Sequence, residues 1–180
     1  MKSAKKILAL ILAGVMALAL LTGCGKATSL NRTMAEGLAE YFKSEFVREG
    51  SSNNISASYQ VPELSRNIAP LFDENWITKD NSGDDVLNRN HTVNGKTVEA
   101  TLTDILRPYI SAGSAVTFLA ADITDVKTPF MEALNLTNSR ITFDNNTQSI
   151  DPTSVTSMKI AVTHKTVNGR TYALAVIIGK

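Results

Sequence analysis

The stretch from Ser157 to the C-terminus constrains this chain more than any other. Residues 157–167 and 170–178 are two runs of apolar and β-branched residues separated by Asn168-Gly169. Asn-Gly between such runs is the strongest short-range hairpin signal, because both residues tolerate the positive φ of a type I′ turn. A two-residue turn also fixes the register. His164 then faces Ala173, Val162 faces Ala175 and Ile160 faces Ile177, an apolar face apart from the histidine. The other face pairs Lys165 with Tyr172, Thr163 with Leu174 and Ala161 with Val176. The second run is apolar on both faces, so it is expected inside a sheet, covered by helices on at least one side.

The N-terminal half reads as helical. Leu30, Met34, Leu38, Tyr41, Phe42 and Phe46 predict a helix over 30–47, with Ser29 or Asn31 as its cap and Gly50 at its end. Leu64, Ile68, Leu71 and Phe72 predict a second helix between 62 and 76, kinked or divided by Pro70. A polar loop at 79–85 leads to a second Asn-Gly pair, Asn94-Gly95, which predicts a hairpin of 86–93 with 96–102. Asp104 is expected to cap a short helix to Ile110, with Pro108 in or near its first turn. Residues 114–121 read as a buried strand, 129–136 as a helix, and 140–143 as a strand before a turn at 145–146. The expected fold class is therefore α+β: N-terminal helices packed on a mainly antiparallel sheet with a C-terminal β-hairpin (155–178). Residues 92–97 and 166–171 are nearly the same hexamer, Thr-Val-Asn-Gly-Lys/Arg-Thr. Their flanks differ, which favours independent use of a good turn over duplication.

The first 26 residues carry a different message. Lys2, Lys5 and Lys6 form a basic start, residues 7–21 are apolar apart from Gly14, and Leu21-Thr22-Gly23-Cys24 follows. That apolar run suits a signal peptide and is short of the roughly 20 residues a membrane-crossing helix needs. Its ending resembles the lipobox of bacterial lipoproteins. The resemblance implies cleavage between Gly23 and Cys24, a thioether-linked diacylglyceryl group on the Cys24 sulfur, and often an acyl chain on the new N-terminus. Two or three chains hold a protein to a bilayer far more firmly than one. The expected organisation is a signal peptide at 1–23, a short tether at 24–29 and one α+β domain at 30–180. The expected location is the extracytoplasmic face of the cell membrane, through lipid on Cys24.

Cys24 is the chain's one cysteine, so the exported domain builds neither a disulfide nor a cysteine metal site. Removing three lysines turns 18 basic against 17 acidic residues into 15 against 17, a net charge of about −2. Such a surface gives no electrostatic case for nucleic acid as a partner. A histidine-based zinc site would need both His91 and His164, converging with Asp84, Asp85 or Glu99, and no HExxH-like spacing is present, so neither metal nor cofactor is expected. The loop at 79–85 has oxygen donors without the register of a calcium loop. Trp76, with Tyr59, Tyr109 and Tyr172, reads either as part of a ligand-binding surface or, for Trp76, as a core anchor. Trp76 and His164 are the two ligand-binding candidates. With no nucleophile–base pattern in sight, the expectation is a non-catalytic domain that binds a protein, peptide or cell-wall component. The alternative is a cell-envelope hydrolase, or a hydrolase inhibitor, with a site assembled from distant residues around His164. A cleft placing a carboxylate within reach of that ring would favour the enzyme; a packed ring would favour binding.

Overall fold

The computed structural model describes residues 26–52, 54–83, 85–110, 114–124, 141–143 and 152–180. The signal region, Cys24, Asp84, the helix expected at 129–136 and the turn at 145–146 lie outside the described residues.

The long hairpin forms as read. Strands β8 (Ser157–Val167) and β9 (Arg170–Gly179) pair antiparallel with His164 opposite Ala173 and Lys165 opposite Tyr172. Asn168 and Gly169 carry the turn at φ 50° and 81°. On the other side of β9 lies the antiparallel strand β6 (Ala115–Asp122). Two short strands complete the sheet, giving the order β1-β8-β9-β6-β7. β7 (Ile141–Phe143) is antiparallel to β6, and β1 (Ser56–Ser58) runs parallel to the start of β8. β9 is thus central, and every residue from Tyr172 to Gly179 is buried.

Its alternating residues differ in size, and that difference divides the core. Tyr172, Leu174, Val176 and Ile178 point to one side with Val116, Phe118 and Ala120 of β6. Ala173, Ala175 and Ile177 point to the other with Leu119 and Ala121. The alanine-rich side receives helix α1 (Lys26–Arg48) through Met34, Ala35, Leu38 and Ala39, each at most 2% exposed. Small residues on both surfaces let helix and sheet approach closely, while Met34 and Leu38 fill the space between. The outer face of α1 is polar, with exposed pairs Arg32–Glu36 (2.7 Å) and Lys43–Glu40 (3.0 Å), each worth a few tenths of a kcal/mol. Gly50, at φ 100°, ends the helix as expected, and Ser51 N–H bonds back to the Phe46 carbonyl (2.9 Å). The other end differs from expectation. The helix already includes Lys26, so Ser29 and Asn31 lie within it and neither caps it, and most of the segment read as a tether is helical.

The bulky side of the sheet is covered by α2 (Val98–Ile110) and by the irregular segment before it. A short π-helical turn at Leu64–Ile68 stops before Pro70, and a 3-10 turn at Glu74–Trp76 follows, so the helix expected over 62–76 is divided as the proline implied. Asp73 caps the second piece, accepting from Asn75 N–H (2.8 Å). Strands β2 (Ile77–Lys79) and β3 (Asp85–Leu87) then make a small hairpin around the polar loop expected at 79–85, taking in its two end residues.

Two expectations in this layer are corrected. The Asn94-Gly95 turn is present, at φ 49° and 80°, but its strands β4 (Thr92–Val93) and β5 (Lys96–Thr97) have two residues each. Residues 98–102 are helix, not strand. Thr97 caps α2 by accepting from Ala100 N–H (3.1 Å), and Val98, Leu102 and Leu106 then recur on the buried face. Asp104 is consequently mid-helix and caps nothing, and Pro108 falls in the last turn. The exposed Asp104 carboxyl instead bonds Lys96 Nζ (2.6 Å) and Arg107 (2.7 Å), which hold it below the usual aspartate range. Mixed sheet and flanking helices make an α+β fold, and among the described residues no helix is long and apolar enough to cross a membrane.

Candidate functional site

Of the two predicted ligand-binding residues, Trp76 is withdrawn from any surface. It is completely buried, with ring centroids 5.5 Å from Phe72 and 6.2 Å from Phe118. The apolar register that places Phe118 on the bulky side of β6 draws the indole beneath it, and Tyr172 joins the same cluster 5.1 Å from Phe72. These are core anchors. The Trp76 Nε1–H has no acceptor among the described residues, a cost the burial of the ring outweighs. Tyr109 is half-buried and donates its hydroxyl to Glu63 (2.7 Å). Desolvation, then that carboxylate, pushes the phenol up to about 12, so it stays protonated as a brace between α2 and the π-helical turn.

His164 lies on the α1 side of β8, because its register partner Ala173 faces that way. Nδ1 meets the Asn31 side-chain oxygen from the first third of α1, which fits a ring carrying its proton on Nδ1 and donating to that oxygen. Nε2 is enclosed and has no hydrogen-bond partner among the described residues. Desolvation by burial lowers the imidazole pKa below its ordinary value, which keeps the ring neutral. His91 belongs to the opposite layer, with Nε2 3.6 Å from Asp73 Oδ2. The sheet therefore lies between the two histidines. Among the described residues no cluster of three or more His, Cys, Asp or Glu is placed to hold a metal ion.

Beside the Asn31–His164 contact runs a groove of about 340 Å3, within the size range of small-ligand sites. One wall is α1 at Asn31, Arg32 and Ala35. The other is the chain leaving β1, with Tyr59, Gln60 and Ser65, and Val162 of β8 forms the floor. The Arg32 guanidinium lies 3.9 Å from the centre of the Tyr59 ring while also bonding Glu36. An apolar floor, an aromatic wall and polar side chains such as Gln60 and Ser65 are what a peptide or sugar recognises. Sequence reading found His164 and named Tyr59 among the aromatics, but missed Arg32, Gln60 and Ser65. Nothing in their local sequence marks them, since the groove exists only once α1 crosses β8. A second depression of about 230 Å3 lies across the sheet, with Asp122, Glu74 and Asp85 interspersed with Arg170 and Lys79. Its charges are already compensated, as in Lys79–Asp85 (2.7 Å) and Arg170–Asp122 (3.7 Å).

No protein-family model, curated protein or solved structure matches the chain.

Proposed function

We propose that this protein is a lipoprotein held at the extracytoplasmic face of the cell membrane by lipid on Cys24, and that its domain binds a protein, peptide or cell-wall component without transforming it. The anchoring rests on the basic start, the apolar run and the Leu21-Thr22-Gly23-Cys24 ending. The binding role rests above all on the groove between α1 and the 59–65 segment, which joins apolar surface to polar and aromatic groups at its rim. The packing of His164 favours binding over hydrolysis. A general base must reach the proton it removes, directly or through one water. Here one ring nitrogen is engaged by Asn31 and the other is enclosed.

The test uses the domain without residues 1–24, purified cell-wall fragments and detergent-solubilised envelope proteins from the producing cells. Wild type should bind one of these saturably and leave it chemically unchanged. Ser65→Trp, which fills the groove from an exposed position, should weaken binding by about tenfold or more while the domain still melts cooperatively. Unaltered binding by Ser65→Trp removes the groove from the account. A hydrolysed ligand, with hydrolysis abolished in a folded His164→Ala variant, overturns the binding reading in favour of an enzyme.

A further inference from the structure

We propose that the domain stands directly on the bilayer, with the tip of the β8–β9 hairpin against the phospholipid headgroups. This deepens the anchoring reading above and rests on it. α1 runs antiparallel to β8: Asn31, in its first third, meets His164, whereas a Cβ placed on Gly50, just past its end, would lie 3.8 Å from Thr153 Cγ2 ahead of β8. The start of α1 and the Asn168-Gly169 turn therefore project from the same end of the molecule. Lys180, by contrast, bonds Thr156 and Ser157 at the opposite end.

The hairpin tip projects about as far as Cys24 can reach. From Asn31 back to Lys26 the helix rises about 7.5 Å at 1.5 Å per residue. The two further residues to Cys24 add at most about 7 Å, whatever their conformation. From His164 to Asn168 the strand advances about 13 Å at 3.3 Å per residue. Cys24 thus lies no more than about 14.5 Å beyond the Asn31–His164 contact, so the hairpin tip, at about 13 Å, reaches to within about 2 Å of its level or past it. They are offset sideways by about 10 Å, the thickness of one helix. A long flexible tether would let the domain sample every orientation. Here the described helix reaches back to Lys26, and in sequence one residue, Gly25, separates Lys26 from Cys24. Thr166, Asn168, Gly169 and Arg170 are all exposed at this tip. The groove beside Asn31 and Arg32 is then held within about 20 Å of the lipid, where a ligand must present itself.

The natural lipoprotein provides its own labelling chemistry. With the Cys24 sulfur closed in a thioether, Thr166→Cys has the one free thiol in the chain, and so does Ser44→Cys. Both positions are exposed, and Ser44 is about 27 Å along α1 from Lys26. Each variant is purified from membranes, nitroxide-labelled and added to phosphatidylcholine vesicles containing a nickel-chelating lipid. The nickel should speed relaxation of the label at 166 several-fold and leave the label at 44 nearly unchanged. Equal effects, or a larger effect at 44, would overturn the orientation while flotation with the vesicles leaves the anchor intact. A wild-type chain that reacts with thiol reagent and does not float with vesicles would overturn the anchor, and the orientation with it.

Discussion

Gly169→Val asks how firmly the central hairpin is built into the fold. Gly169 sits at φ 81°, a conformation that L residues rarely adopt and β-branched ones least. A Cβ placed there meets nothing within 4 Å, so no clash contributes and the cost is torsional alone. Backbone strain of this kind costs about 1–3 kcal/mol. Gly95 offers a matched control, with nearly the same hexamer, φ 80° and equally open space. The surroundings differ. Gly169 joins two strands at the middle of the sheet, and relieving its strain would break register pairs such as Lys165–Tyr172 beneath it. Gly95 joins strands of two residues, so relieving its strain breaks no more than the pairs Thr92–Thr97 and Val93–Lys96. Gly169→Val should therefore cost about 2 kcal/mol and lower the melting midpoint by about 4–8 °C for a domain of this size, against well under 1 kcal/mol for Gly95→Val. Urea melts of both variants, in the chain lacking residues 1–24, measure the difference. If the two lose equal stability, or Gly169→Val melts like wild type, the reasoning that makes the hairpin the structural centre is wrong.

Two further outcomes follow from the core and the buried histidine. Phe118→Ala removes a fully buried ring that packs on Trp76, and should cost about 3–5 kcal/mol in the same melts, whereas truncation of exposed Val47 should cost little. Because the folded-state pKa of His164 is depressed, the unfolded chain binds the extra proton; its stabilising neutral state is fully present above the ordinary value of 6.5 and is lost as pH falls from there through the folded pKa. The denaturation midpoint should thus drop on acidification from neutral pH, and drop less in His164→Asn, a difference followed by urea melts across that range.

The hairpin was legible because its information is local: Asn-Gly dictates the turn, and a two-residue turn dictates the register of every pair above it. The centrality of β9 was legible for the same reason, since apolar residues on both faces leave only the inside of a sheet. The Asn94-Gly95 hexamer shows where local information runs out. It folds into the same turn, but Thr97 can cap a helix, and Val98, Leu102 and Leu106 have helical spacing that the competing strand reading of 96–102 obscured. Trp76 was ambiguous in sequence because an aromatic at the end of a helix can face either way; the bulky parity of β6 and β9 decided it. The groove was not legible, because Arg32, Tyr59 and Ser65 come together only when α1, the β1 exit and β8 pack. The register placed His164 on the correct face, but only the position of Asn31 on α1 revealed that the ring is engaged rather than open.

The anchoring is tested most directly by mass spectrometry of the N-terminal peptide of the protein extracted from membranes of the cells that make it. The expected peptide begins at Cys24 and is heavier than its sequence by a thioether-linked diacylglyceryl group, with no peptide from residues 1–23. A chain that begins at Met1 or at any residue other than Cys24, or one with an unmodified Cys24 thiol, would contradict it.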